Sequence, residues 1–297
     1  MRIARGLRAL VFAAPFFIGM ARAQDADPYL RDIETKYIFG ITEGSGIGLE
    51  GEKEFSPEMF ASFGKGGGSR YFGSETKLEY EFTPNQYVQF ELGPLVSAHS
   101  IKDVAGLDNR NDVAFGGIFG EMRYQLLDRG PSPLAVTLSV EPVWRRIDET
   151  SGVHVTNFEF ETKVNADFEL VPNRLYIGSN LLYEPEMTKD PDHVGAGWAM
   201  ESTGGVSGAL SYRILPQVFL GGELWYLHHY DGAWFNNYTG SATYLGPTLY
   251  VQITPKIFMT AAWNTQIRGT EADDPTQRLN LTEFSRQRAK FKVAVEF

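Results

Sequence analysis

The chain has no cysteine among its 297 residues. That excludes a disulfide framework, a thiol nucleophile, a thiolate metal site and a cysteine for lipid anchoring. It is also short of positive charge, with 27 Lys and Arg against 37 Asp and Glu and a formal net charge of −10. Bulk binding of nucleic acid, whose phosphates call for basic surface, is therefore not expected. Beyond the first two dozen residues no apolar run approaches the roughly 20 residues of a membrane-spanning helix. Hydrogen bonding and packing must hold the chain together.

What is present begins with a short leader. Arg2, Arg5 and Arg8 precede the apolar run Ala9 to Met20, and Ala21-Arg22-Ala23 follows. Basic start, short apolar middle and A-x-A end are the parts of a secretory signal peptide over 1–23. Its removal takes away four arginines and no acid, so the remaining 24–297, expected to be one domain, carries a formal charge of −14.

Along that domain, short turn-like breaks recur at 83–86, 128–133, 171–174, 215–217 and 254–256, each carrying a proline. From Pro84 through Pro131, Pro172, Pro216 and Pro255 to Phe297 the gaps are 47, 41, 44, 39 and 42. Each gap fits two strands of about ten or more residues joined by one longer loop. The longer, polar connections read as 43–70, 102–112, 148–154, 188–196, 232–240 and 270–283. Alternation of short turns and long loops predicts an all-β fold, an antiparallel transmembrane β-barrel of about twelve strands with short periplasmic turns and longer external loops. In this reading the first strand begins near Ile33 and closes against the last.

The strand segments show the period of two that such a wall requires. Leu78, Tyr80 and Phe82 alternate with Lys77, Glu79 and Glu81; Phe160, Val164 and Phe168 share the face opposite Glu161, Lys163, Asp167 and Glu169. The last strand sets Phe291, Val293, Val295 and Phe297 on one side and Lys290, Lys292 and Glu296 on the other. Lipid outside and an aqueous lumen inside satisfy both faces. The segments 175–184 and 218–230 fit less cleanly, with apolar residues on both faces. Pro94, Pro142, Pro185 and Pro247 also fall inside expected strands, where a bulge or strand end must accommodate them. Tyr37, Tyr87, Tyr124, Trp144, Trp198, Tyr212 and Tyr244 are expected in two interfacial girdles.

On the leader, this alternation and the terminal Val293-Ala294-Val295-Glu296-Phe297, the chain resembles Gram-negative outer-membrane β-barrel proteins of small porin or transporter-like type. The resemblance covers residues 33–297. It implies a place in the bacterial outer membrane among lipid and lipopolysaccharide, and recognition of the terminal strand ending in Phe297 by the barrel assembly machinery. It further implies passive passage of a small polar or charged solute, not catalysis. Barrels of this architecture serve several functions, so a closed barrel with a structural or surface role, or a lipid hydrolase, remains an alternative.

The lumen-lining candidates are Arg286, Arg288, Lys290, Lys292, Glu79, Glu81, Glu91, Glu161, Lys163, Asp167 and Glu169. Alternate residues stand about 7 Å apart on one face, so Arg286 to Lys292 form a basic ladder. It reads as a track guiding anions, or as a row neutralised by Glu34 on the first strand and by Glu79, Glu81 and Glu91; the excess of acids favours the latter. The acids of the 159–169 segment read as a cation-favouring wall or as partners of Arg145 and Arg174. His228 and His229 point to opposite faces of one strand, so they do not chelate one metal together, and no serine stands near them at the spacing a barrel hydrolase needs. Acidic loops at Asp108 to Asp112, Asp190 to His193 and Glu271 to Asp274 lack the glycine-punctuated spacing of a calcium loop. Gly44-Ser45-Gly46-Ile47-Gly48, with no helix after it, reads as a flexible loop. No catalytic residue, cofactor or metal site is expected.

Overall fold

The computed structural model describes residues 34–66, 68–129, 132–190 and 197–297. The leader expected over 1–23 lies outside the described residues, as do Asp192 and His193 of one acidic loop. Twelve strands follow in order: β1 Lys53–Phe63, β2 Arg70–Asn85, β3 Val88–Lys102, β4 Arg110–Leu127, β5 Leu134–Ile147, β6 His154–Val171, β7 Leu175–Lys189, β8 Ala199–Leu215, β9 Val218–Tyr230, β10 Tyr238–Thr254, β11 Ile257–Glu271 and β12 Gln287–Glu296. Each pairs antiparallel with its neighbours in sequence, and β12 pairs with β1 to close the barrel. Closure leaves no unpaired edge, the one way a sheet satisfies its backbone groups in lipid. The tight connections lie at one end of the barrel, the turn end, together with the start of β1 and Phe297; the longer ones form the loop end.

Period-two patterning becomes two faces. On β12, Phe291 and Val295 are exposed on the outer wall, whereas Lys290 and Lys292 are buried inside. Tyr87, Tyr124, Trp198 and Tyr212 are exposed, but Tyr37 and Tyr244 are buried in the interior and do not belong to a girdle. The prolines stay within strands and interrupt the pairing locally. Between β2 and β3 it runs to Lys77↔Leu95 and resumes at Tyr80↔Leu92 around Pro94; between β6 and β7 it skips from Glu159↔Glu186 to Thr162↔Tyr183 around Pro185. Proline has no N–H to give to the ladder, so each costs a bond without breaking the wall.

The expected first strand near Ile33 is wrong, and the expected loop 43–70 contains β1. β12 seals against β1, with Phe55 opposite Val295 and Phe60 opposite Lys290. Residues 34–48 instead pass inside the barrel, making one 3-10 turn at Thr35–Tyr37. Tyr37, Ile38 and Phe39 are buried because they pack in the lumen, where a lipid-facing strand would satisfy the same composition. Glu34 accordingly does not sit on a strand beside the basic row.

Candidate functional site

The lumen holds two things, a plug and a vestibule. The plug enters from the turn end, reverses near Gly40 and returns, with the Gly44 amide donating to the Lys36 carbonyl at 3.2 Å. Gly40 adopts φ +96°, and a Cβ there would lie 2.5 Å from Thr248, 2.9 Å from Ala262 and 2.9 Å from the Glu223 carboxylate. Only glycine meets both conditions. The three residues before it, Tyr37, Ile38 and Phe39, are 2%, 1% and 0% exposed. They form an apolar core with Tyr176, Ala209, Phe219, Tyr250, Phe258 and Ala294 from the wall.

Polar groups of the wall are matched to the plug one by one. Glu223 accepts from the Ile41 and Thr42 amides at 3.1 and 2.6 Å, and also from Trp225 Nε1 and Asn264 Nδ2. Asp167 accepts from Thr35 Oγ1 at 2.7 Å and from the Ser45 amide and hydroxyl at 2.6 and 2.7 Å, and pairs with Arg129. Lys36 pairs with Glu81 at 2.9 Å and with Glu91, and the Tyr37 hydroxyl donates to Glu81 at 2.8 Å. Glu43, at the tip, takes Arg123 at 2.6 Å and Lys163 at 2.8 Å. Asn180 clamps the Glu43 backbone from both sides, its Oδ1 accepting at 2.9 Å and its Nδ2 donating at 2.7 Å. Buried charge without partners is costly, so these pairs fix where the plug sits.

Above the plug lies a cavity of about 870 Å³ with Ile41 and Glu43 in its floor, reaching up among residues of the loops at 64–69, 103–109, 148–153 and 272–286. Twelve carboxylates line it against six lysines and arginines. Four of the bases are held in ion pairs: Lys77 with Glu141, Lys290 with Glu58 at 2.9 Å, Lys163 with Glu161 at 2.8 Å, and Arg145 with Glu75 at 2.8 Å, Glu149 at 2.6 Å and Glu159. Arg288 lies over the rings of Phe60 and Tyr244, 4.7 and 5.2 Å from their centroids. No lysine or arginine among the described residues comes within ion-pair distance of Glu184 or Glu186. The vestibule therefore carries net negative charge, concentrated on its β6 to β8 side.

The sequence-derived candidates thus separate. Glu81, Glu91 and Asp167 hold the plug; Glu161 and Lys163 face the vestibule, Lys163 also reaching the plug tip. Lys292 pairs with Glu79 at 2.6 Å and stands 3.5 Å from Glu54. Glu169 lies at the turn end, accepting from Tyr176 Oη and the Asn173 amide. Arg286 is exposed and precedes β12, so the basic row on the strand comprises Arg288, Lys290 and Lys292. Gly44 to Gly48 belong to the plug and are not a free loop. His228 packs outside against Tyr226, and His229 points inward to Thr239 Oγ1 at 2.9 Å. Neither ring is held against a serine among the described residues. Three groups of carboxylates and histidine come together: Glu34, Glu54 and Glu81; Glu34, Glu52 and Glu296; and Glu186, Glu201 and His229 in the vestibule.

Sequence reasoning missed the plug, although it left a signal. Tyr176 and Leu182 on β7, and Phe219, Trp225 and Leu227 on β9, are buried apolar residues on lumen-facing positions. They are what made 175–184 and 218–230 apolar on both faces.

A barrel of this form and the match of a family model over residues 32–297 decide the affiliation. The chain belongs to DUF6662, a family of unknown function. No curated protein sequence matches it. Among solved structures, this DUF6662 chain is similar to the COG4313 outer membrane channel from Pseudomonas putida F1, at 12% identity over 84% of this chain and 97% of that one, TM-score 0.56. It is also similar to the NanC porin, at 12% identity over 82% and 98%, TM-score 0.46, and to the KdgM porin, at 10% identity over 83% and 99%, TM-score 0.43. At these identities the likeness is one of fold, that of outer-membrane barrels.

Proposed function

We propose that the protein is an outer-membrane channel for small polar or charged solutes, with its loop end outside, its turn end in the periplasm, and residues 34–48 as a plug that moves to open it. The observation that carries this reading is the separation of plug and wall. The twelve-strand ladder closes through β1 and β12 without the plug, so the plug leaves its seat without breaking the wall. The solute collects in the acidic vestibule, where surplus carboxylates attract cations and repel anions. Similarity of fold to the COG4313 outer membrane channel supports a conducting role.

The experiment is a reversal-potential measurement in planar bilayers under a KCl gradient, on protein lacking residues 34–48 and shown to be folded by heat-modifiable gel migration. The potential is expected on the cation-selective side, and replacing Glu184 and Glu186 by glutamine should move it toward zero. An anion-selective potential would refute the vestibule as selector. A second reading, a permanently closed barrel with a structural or surface role, is favoured by the apolar core around Tyr37, Ile38 and Phe39. It requires that folded protein without the plug still show no conductance.

A further inference from the structure

The geometry points to a binding site for a divalent transition-metal cation of the Zn²⁺ type on the vestibule wall, formed by Glu186, Glu201 and His229. Glu186 on β7 stands directly opposite Glu201 on β8, and His229 on β9 is opposite Thr203, one diagonal step from Glu201. Neighbouring strands thus present three ligands to one point, and their donor atoms lie within 4.8 Å of one another. Tetrahedral Zn²⁺ with bonds of 2.0–2.2 Å sets its ligands about 3.4 Å apart, which is within reach of small side-chain rotations. Water completes the coordination from the open side.

Groups outside the triad orient it. His229 Nδ1 stands 2.9 Å from Thr239 Oγ1. With Nδ1–H donating there, the Nε2 lone pair faces Glu201 Oε2, 3.4 Å away. A metal-ligating imidazole is usually held in this way through its other nitrogen. Glu186 Oε2 accepts from Asn157 Nδ2 at 2.8 Å. Asn157 is only 4% exposed, and its Oδ1 has no partner, which leaves an unsatisfied acceptor beside the cluster. Glu283, its Oε2 3.5 Å from His229 Nδ1, adds negative charge from the loop side.

The other two groupings lack this character. Glu34, Glu54 and Glu81 share their space with the ammonium groups of Lys36 and Lys292, and Glu34, Glu52 and Glu296 contain no nitrogen ligand. Around Glu186 and Glu201 no lysine or arginine among the described residues is within ion-pair distance. One imidazole with two carboxylates suits borderline cations such as Zn²⁺ and disfavours Ca²⁺ and Mg²⁺, which prefer oxygen alone. The site faces the open vestibule, so binding requires neither movement of the plug nor conduction, and its test is independent of the channel reading.

The test is isothermal titration of untagged, folded barrel in detergent with ZnCl₂ near pH 7.5. Saturable binding of one Zn²⁺ per chain is expected, weakened tenfold or more in H229A and in E201Q, and not displaced by millimolar Ca²⁺. Co²⁺ in place of Zn²⁺ should give visible absorption bands that H229A abolishes. Absence of saturable binding would overturn the proposal. So would displacement by Ca²⁺ together with an unchanged affinity in H229A, which would reduce the effect to diffuse attraction by the acidic wall.

Discussion

At Glu223, neutral N–H donors do what a lysine or arginine partner usually does for a buried carboxylate. Its carboxylate is 1% exposed and is met by two plug amides, an indole N–H and a side-chain amide. Several donors converging on one buried anion make charge-assisted hydrogen bonds, each stronger than a neutral one. Glu223→Gln turns one acceptor oxygen into a donor facing other donors, a loss of about 1–3 kcal/mol for a buried group left unsatisfied. Hydrogen exchange at Ile41 and Thr42 should therefore quicken in this variant while the barrel amides stay protected. Unchanged protection at both residues would mean that Glu223 does not hold the plug. Gly178 offers a steric counterpart, since a Cβ there would lie 2.9–3.0 Å from the Phe39 ring. In Gly178→Val, Phe39 should be displaced and the same plug amides should lose protection.

At the scale of elements, the plug is held by groups whose charge depends on pH in opposite senses. Burial pushes the Glu43 carboxyl up, but Lys163 on β6 and Arg123 on β4 outweigh it and hold it well below the usual carboxylate range. Its contribution to docking is present above the free value of about 4.3 and lost as pH falls through the lowered, docked value. Glu34 is held well above that range, by burial first and then by Glu81 and Glu54. Its contribution is present below about 4.3 and lost as pH rises toward the raised, docked value. Closure should therefore be firmest near the free carboxylate value and weaken on both sides. Glu43→Gln, with Lys163, Arg123, Glu121 and Asn180 left around it and Glu81 still paired with Lys36, should weaken the loss of closure on the acid side. Conductance measured against pH checks this, and an acid limb unchanged in Glu43→Gln would assign the effect elsewhere.

Strands after the first were legible because their physics is local: alternation marks a two-faced wall, and proline with small polar residues marks the turns at 215–217 and 254–256; β1 was not, since its residues read as part of the loop 43–70. The plug was not, because its partners are distant in sequence. Thr35 meets Asp167, and Thr42 meets Glu223. Tyr37-Ile38-Phe39 has the composition of a lipid-facing strand, and nothing local distinguishes burial against Tyr176 and Phe219 from burial in lipid. The basic row was legible as a face, and the excess of acids favoured its neutralisation, as in the pairing of Lys292 with Glu79; Glu34, expected beside the row, lies in the plug instead.

At the scale of the whole molecule, the barrel is a wall complete in itself, an acidic chamber at its loop end and a folded segment filling its turn end. Removing Lys36 would leave Glu81 and Glu91 buried without their cation, and loss of one partner of a buried pair costs about 3–5 kcal/mol. Lys36→Met should thus loosen the plug while the strand ladder survives, which limited proteolysis near residue 36 with intact heat-modifiable migration would register. In the proposed channel this segment is the only barrier to conduction among the described residues. The most direct test of this compares single-channel conductance of the full chain with that of Gly40→Val, whose side chain has no room in the seat, and with protein lacking 34–48. A nearly silent full chain and frequent, stepwise conductance from both variants are expected. Silence from folded variants, or equal conductance from all three proteins, would contradict this.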